Sequence, residues 1–266
     1  MKLFLDYTLN NSGKGKFLQR LIPALERLGV TTHFKDKGCD VALGISWWHT
    51  ETKLPKVIRV DGVHLVKNDK NNWKNGRIKD GVKRADAVIY QSAFAQREVK
   101  RFLKLKDKKE FVVFNGADPK DYDVEPIDTG FPNNIIASGK WCDRNGVRKS
   151  KGLKATLQTM LEMKSSVCGL FVAGDVPEKY RSDGITFLGR LEEPMLRRWL
   201  KTCDTMVYMA KYDWCPNAVV EAVVAGCKII YNPKCEALSE LAVLKPEELH
   251  IDNIAKQYKH VLEEVL

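Results

Sequence analysis

The chain has 266 residues, is 44% hydrophobic and carries a formal charge of +10 at pH 7. That length and apolar content suit a globular protein of one large or two ordinary domains. No run of 18 apolar residues exists to span a membrane, and the apolar run in Met1–Asn11 is too short for a signal peptide.

In chain order, "KLFLD" reads as a buried first strand. "KFLQRLIPALERLG" has the apolar spacing of an amphipathic helix and stops at Gly29. "CDVALGIS" and "KVIRVDG" are short strands, and "NNWKNGRIKDGVKRA" is polar with helical character. "DAVIYQS" is a strand, after which Ser92 caps the helix "AFAQREVKRFLKLK". "EFVVFNGAD" runs from strand into turn, and "DPKDYDVEPIDTGFPNN" has no periodicity and reads as a linker. A second series follows: strand "NNIIASGKW", helix "LKATLQTMLEMKS", strands "CGLFVAGD" and "ITFLG", helix "EPMLRRWLKTC", strand "DTMVYMA". The helix and strand of "PNAVVEAVVAGCKII" come next, and "IDNIAKQYKHVLEEVL" is a terminal helix. Two rounds of βα alternation predict parallel sheets covered by helices, with sites at the carboxyl ends of strands. The expected domains are residues 1–122, residues 123–245, and a terminal helix over 246–266 that returns to the first domain.

Charge is divided unevenly. Residues 1–115 hold 24 Lys and Arg against 12 Asp and Glu, whereas the remainder holds 20 against 22. From Lys67 to Lys109 there are 14 basic residues interleaved with Trp73, Tyr90, Phe94 and Phe102. A basic half can be a solvated face, or it can concentrate a polyanion or an anionic membrane. The seven cysteines show no C-x-x-C pair and no metal-ligand spacing, which points to reduced thiols and a cytoplasmic protein, with peripheral attachment to a membrane as an option.

The stretch "YDWCPNAVVEAVVAG" concentrates chemistry. Pro216 opens a helix at its first position, where a missing N–H has no helical partner. The amides that follow, at Asn217 and Ala218, could receive a phosphate. Asp213, just before the turn, could accept hydrogen bonds from sugar hydroxyls. Glu221, about one and a half turns into the helix, could accept two from a ribose diol. Hexose, diphosphate and ribose follow in this order in a nucleotide-sugar. A capping acid and a surface glutamate are the plain alternative.

These residues resemble the E-x7-E region of retaining family-4 glycosyltransferases of the GT-B fold, with Asp213 in place of the first Glu. "ADAVIYQSAFAQREV…FVVFNGADPKDY" is similar to the family's strand–Ser–helix and "NGVD" turn, and "IIASGKW…KSKG" to its donor-phosphate region. The resemblance covers roughly residues 82–245 and loosely the N-terminus. It implies an α/β chain of two Rossmann-like domains facing across a cleft, in a compact version of the GT-B fold. It implies donor contacts at Gly13, Gly15, Gly139, Lys140, Lys151, Asp213, Pro216, Asn217, Ala218 and Glu221. Lys140 stands for the usual Arg and Lys151 for the usual Lys, both suited to a diphosphate leaving group. Gly13 and Gly15 lie in the loop from Asn11 to Lys16, where glycine would let backbone approach a ligand.

Asp61 ends the strand "KVIRVDG", where the family has a donor-contacting His; it could steady the sugar or take a proton from an acceptor. Asp61, Lys140 and Asp213 are thus the candidate catalytic residues, with Asp6 a weaker one. His64 and Trp73 are candidates on the acceptor side, and Trp47-Trp48-His49-Thr50 would join the same wall. Asp121-Tyr122-Asp123 spells D-x-D but lies in the linker, so no metal site and no cofactor are expected. The expected reaction moves a hexose from a UDP- or GDP-sugar to a hydroxyl with retention. Base rates favour a cell-surface or lipid-linked glycan as acceptor. A DNA base bearing a hydroxymethyl group, as for phage-type enzymes, is the alternative that the basic half favours. A sugar-nucleotide epimerase and a catalytically dead binding module share the fold and stay open, and the oligomeric state is open too.

Overall fold

The computed structural model describes residues 1–10, 12–65, 69–143 and 146–266. Asn11, first of the glycine loop, and Lys67, first of the basic run, lie outside them. The described chain divides into two units, Met1–Gly116 with Ile251–Leu266, and Ala117–His250.

The first unit runs β1 (Lys2–Asp6), α1 (Gly13–Arg27), β2 (Thr31–His33), β3 (Val41–Ile45), β4 (Lys56–Val60), α2 (Asp69–Arg84), β5 (Ala87–Tyr90), α3 (Ala93–Leu103) and β6 (Lys109–Val112). Its strands form one parallel sheet in the order β2-β1-β3-β4-β5-β6. The central strands are buried along their whole length, as expected for parallel strands covered on both faces. Helix α1 buries Phe17, Leu18, Leu21, Ala24 and Leu25, a single stripe at helical period. Ser12 caps α1 and Ser92 caps α3 through their hydroxyls.

The second unit runs β7 (Asn133–Ser138), β8 (Cys142–Asp143), β9 (Gly146–Val147), α4 (Leu153–Glu162), β10 (Cys168–Ala173), β11 (Thr186–Gly189), α5 (Glu193–Thr202), β12 (Thr205–Tyr208), α6 (Asn217–Ala225), β13 (Lys228–Tyr231) and α7 (Glu236–Ala242). Five of these strands form a second parallel sheet, β11-β10-β7-β12-β13.

The last helix, α8 (Ile251–Glu263), belongs to the first unit. Ile251, Ile254, Ala255, Tyr258, Val261 and Leu262 enter the same apolar cluster as α1. Arg27 pairs with Asp252 at 2.5 Å, and Lys109 with Glu264 at 2.5 Å.

The boundaries differ from residues 122 and 245. The turn Pro119–Tyr122 goes with the second unit, because Tyr122 is buried there and Asp121 pairs with Arg197 of α5 at 2.9 Å. That unit extends to His250, where the Ala117 amide bonds to the Leu249 carbonyl at 3.1 Å. No described helix is long and apolar enough to cross a membrane.

Candidate functional site

Both sheets start at an inner strand, grow outward, and then restart on its other side. The order therefore reverses between β1 and β3 in the first unit, and between β7 and β12 in the second. Ligands of doubly wound sheets bind beyond the carboxyl ends of strands at such a reversal. The candidate residues fall at both.

In the second unit, Tyr208 ends β12 and its side chain is buried. Its hydroxyl donates to Asp213 Oδ2 at 2.9 Å. Lys151 forms an ion pair with the same carboxylate and donates to the Tyr208 hydroxyl at 2.8 Å. The Trp214 amide bonds to Asp213 Oδ1 at 2.9 Å, so both carboxylate oxygens are engaged. Burial first, and then the Asp213 charge, raise the Tyr208 pKa well above its ordinary value. The phenol therefore stays a neutral donor.

Lys151 is delivered by a 3-10 turn, Lys149–Lys151, that ends at Gly152 with φ +68°. A Cβ at Gly152 would run into the Met209 carbonyl, so the turn can lie against the end of β12 only with glycine there. The Lys211 amide then bonds to the Ser150 carbonyl at 2.8 Å, closing the two segments together.

Helix α6 begins one residue later than expected. Pro216 is the N-cap, extended at ψ 119°, and Asn217 is the first helical residue. Extended ψ lets the Pro216 carbonyl receive the Val219 and Val220 amides at 3.0 and 3.1 Å. Glu221 is buried, 9% exposed, so the plain alternative of a surface glutamate does not hold. Gly139 follows β7, its Cα against the buried Trp141 ring, whose Nε1 donates to the Ala173 carbonyl at 2.9 Å. Lys140 is exposed and makes no ion pair among the described residues.

In the first unit, Asp61 follows β4 and sits in a web of cations. Arg59, 2% exposed, reaches its Oδ1 at 2.6 Å, and Lys14 reaches Oδ2 at 3.2 Å. Lys14 also donates to the Ser46 hydroxyl at 2.5 Å, which in turn donates to Asp61 Oδ2 at 3.3 Å. Ser46 holds φ +66°, a backbone that non-glycine residues seldom take. Arg59 is braced by Asn115 at 2.7 Å and Gln91 at 3.2 Å, and it stacks on Phe17 at 4.1 Å. Burial acts to raise the Asp61 pKa, but Arg59, Lys14 and the Ser46 hydroxyl outweigh it and hold it below the ordinary value. Asp61 is therefore a fixed anion and a weak base.

The remaining expectations separate. Gly13 opens α1, and Gly15 leaves room for the Asn10 carbonyl rather than for a ligand, because a Cβ there would overlap that oxygen. Asp6 is buried and accepts the His49 and Thr50 amides at 2.6 and 3.2 Å, which ties it to holding that loop. The His64 backbone is clamped by Asn75, and partial burial, then Lys74 and Lys14, lower its imidazole pKa. Trp73 is 52% exposed, its ring 6.3 Å from that of Trp47.

Tyr208, Lys14, Ser46 and Arg59 were not singled out from sequence. Arg59 had a signal, since a lone charge inside the apolar strand "KVIRV" must find a partner. Tyr208 had none, because an aromatic at the end of "DTMVY" reads as core.

No family model matches the chain, and no curated protein matches it in sequence. Solved structures match it in fold. Sucrose-phosphate synthase from Thermosynechococcus elongatus superposes with a TM-score of 0.70 at 13% identity, covering 99% of this chain and 98% of that one. HepE from Anabaena, in complex with UDP and glucose, gives 0.68 at 13% identity, over 98% and 99%. WaaG, a glycosyltransferase involved in lipopolysaccharide biosynthesis, gives 0.62 at 12% identity, over 99% and 92%. The shared architecture is the GT-B fold, two Rossmann-like units in one chain.

Proposed function

We propose that the chain is a retaining glycosyltransferase that moves a hexose from a nucleoside-diphosphate sugar, of uridine or guanosine, to a hydroxyl. One observation carries this reading. Asp213, Tyr208 and Lys151 gather beyond the end of β12, and the helix that follows them, α6, carries a buried Glu221, in a unit whose fold matches that of a protein solved with UDP and glucose.

In this reading Glu221 receives the ribose diol, and the start of α6 faces the diphosphate. Lys140 supplies a cation to the leaving group. Lys151 is already paired, so its first task is to hold Asp213 toward the sugar. As the anomeric C–O bond to the diphosphate breaks, charge grows on the phosphate oxygens, and preorganised cations stabilise it most there. The acceptor oxygen bonds to the same face of the anomeric carbon, and its proton passes to the departing phosphate oxygen. Asp61 is a weak base and is not cast as the group that takes that proton. No metal is required in this scheme.

Calorimetric titration with UDP, GDP and ADP, followed by a hydrolysis assay with the matching sugar donors, tests it. One diphosphate should bind clearly better than the others, and turnover should survive a chelator. No binding by any of the three would overturn the reading; loss of turnover with chelator would overturn the metal-free scheme.

A further inference from the structure

The first unit carries 26 Lys and Arg against 15 Asp and Glu, whereas the second carries 18 against 19. Near the β1/β3 reversal this excess is organised around two indoles. Trp47 has the Lys14 ammonium 5.5 Å and the Arg77 guanidinium 5.0 Å from its ring centre. Trp73, on the exposed side of α2, has Lys74 at 5.8 Å. His49 lies 5.9 Å from the other side of this group, ring to ring with Trp47. It also lines a groove of about 430 Å³ with Asp6, Tyr7, Leu9, Phe34 and Thr50. Lys14 joins the group to Asp61, since the same ammonium is 3.2 Å from that carboxylate.

We infer that this face binds single-stranded nucleic acid. The exposed Trp73 indole offers a flat surface to an unpaired base, and Lys74 beside it, with Arg77 and Lys14 around the neighbouring Trp47, offers charge to the phosphates of the strand. The groove beyond His49 has room for a further nucleoside. A paired duplex hides its base faces, so an unpaired or extruded base is the form that fits. A neutral glycan would make no use of the positive charge gathered here. A bilayer would need several apolar side chains entering together, and Trp73 stands among charges. That the bound strand also carries the acceptor hydroxyl rests on the transferase reading; the binding itself does not.

Fluorescence polarisation with an end-labelled oligothymidylate, across ionic strength, tests this. Three phosphate contacts predict a log–log salt slope of about −2 for a single strand. Trp73→Ala should weaken oligonucleotide binding about tenfold or more while leaving heparin binding nearly unchanged, and Trp73→Phe should restore most of the loss. Lys74→Ala with Arg77→Ala should flatten the salt slope. Circular dichroism and UDP affinity, read on each variant, report folding and the donor site separately. Oligonucleotide binding without UDP binding would sink the transferase reading alone. An equal loss for heparin and oligonucleotide in Trp73→Ala would mean charge without stacking and overturn the inference. So would tighter binding to phosphatidylserine vesicles or heparin than to the oligonucleotide, or no binding at low salt.

Discussion

Lys151 and Asp213 stand 62 positions apart in sequence, yet form an ion pair that the Tyr208 hydroxyl joins from both sides. Each is mostly buried, with side-chain exposures of 16% and 13%. Burying this pair of charges costs desolvation, so either partner left alone is worse off than the pair.

Lys151→Ala and Asp213→Ala should each destabilise the protein by about 2–3 kcal/mol, somewhat below the cost of breaking a fully buried pair. The double variant should cost less than the two single changes together. Urea unfolding of the four proteins measures this. A coupling indistinguishable from zero would make the pair a bystander.

Glu221→Ala should weaken UDP binding by roughly tenfold or more, since a hydrogen bond to a charged acceptor contributes about 1.5–3 kcal/mol. The wild type should prefer UDP over 2′-deoxy-UDP, and the variant should lose that preference. If the variant discriminates as well as the wild type, Glu221 does not touch the ribose.

Asp61 links stability to acid. Its pKa in the folded protein lies below that of the unfolded chain, because Arg59 and Lys14 favour the anion against the opposing effect of burial. Its contribution is then fully present above the unfolded value of about 3.9 and fades as pH falls through the folded value. Asp61→Asn should be less stable at pH 7 by about 3 kcal/mol, leaving Arg59 buried without its anion. Its stability should also fall less steeply than that of the wild type below about pH 4. Parallel pH curves for the two proteins would remove Asp61 from the acid response.

Gly152→Ala tests how Lys151 is placed. The new methyl meets the Met209 carbonyl and the residue must hold φ +68°, so the turn has to shift. A loss of about 1–3 kcal/mol is expected, together with weaker donor binding. Normal melting and normal UDP affinity in this variant would mean the turn is free to move.

Much of this was written in local pattern. The βα alternation, Ser92 as a cap and Gly29 just past the end of α1 follow from periodicity and from residues whose chemistry acts on near neighbours. The edge strand Thr31–His33 and helix α7 did not, being three and seven residues long and without a clear apolar period. The shift of Pro216 from first helical residue to cap turns on ψ, which proline does not fix. In the sites, the single residues were legible and their partners were not. Asp61 was visible as an acid at a strand end and Asp213 as an acid just before a helix start. That Arg59 and Lys14 fix one, and Lys151 the other, depends on which strands become neighbours.

Helix α8 has a consequence for how the chain is made. It fills the core of a unit whose other residues are translated first, so Ile254, Tyr258 and Leu262 arrive last where Phe17 and Leu21 already wait. Residues 117–250 emerge in between, on the order of ten seconds of synthesis, carrying a complete sheet of their own. The second unit is continuous in sequence and has all its strands before α8 is made, whereas the first unit still lacks a core helix at that point. A nascent chain halted at residue 250 would expose the α1 face that α8 covers, a surface on which chaperones and proteases act.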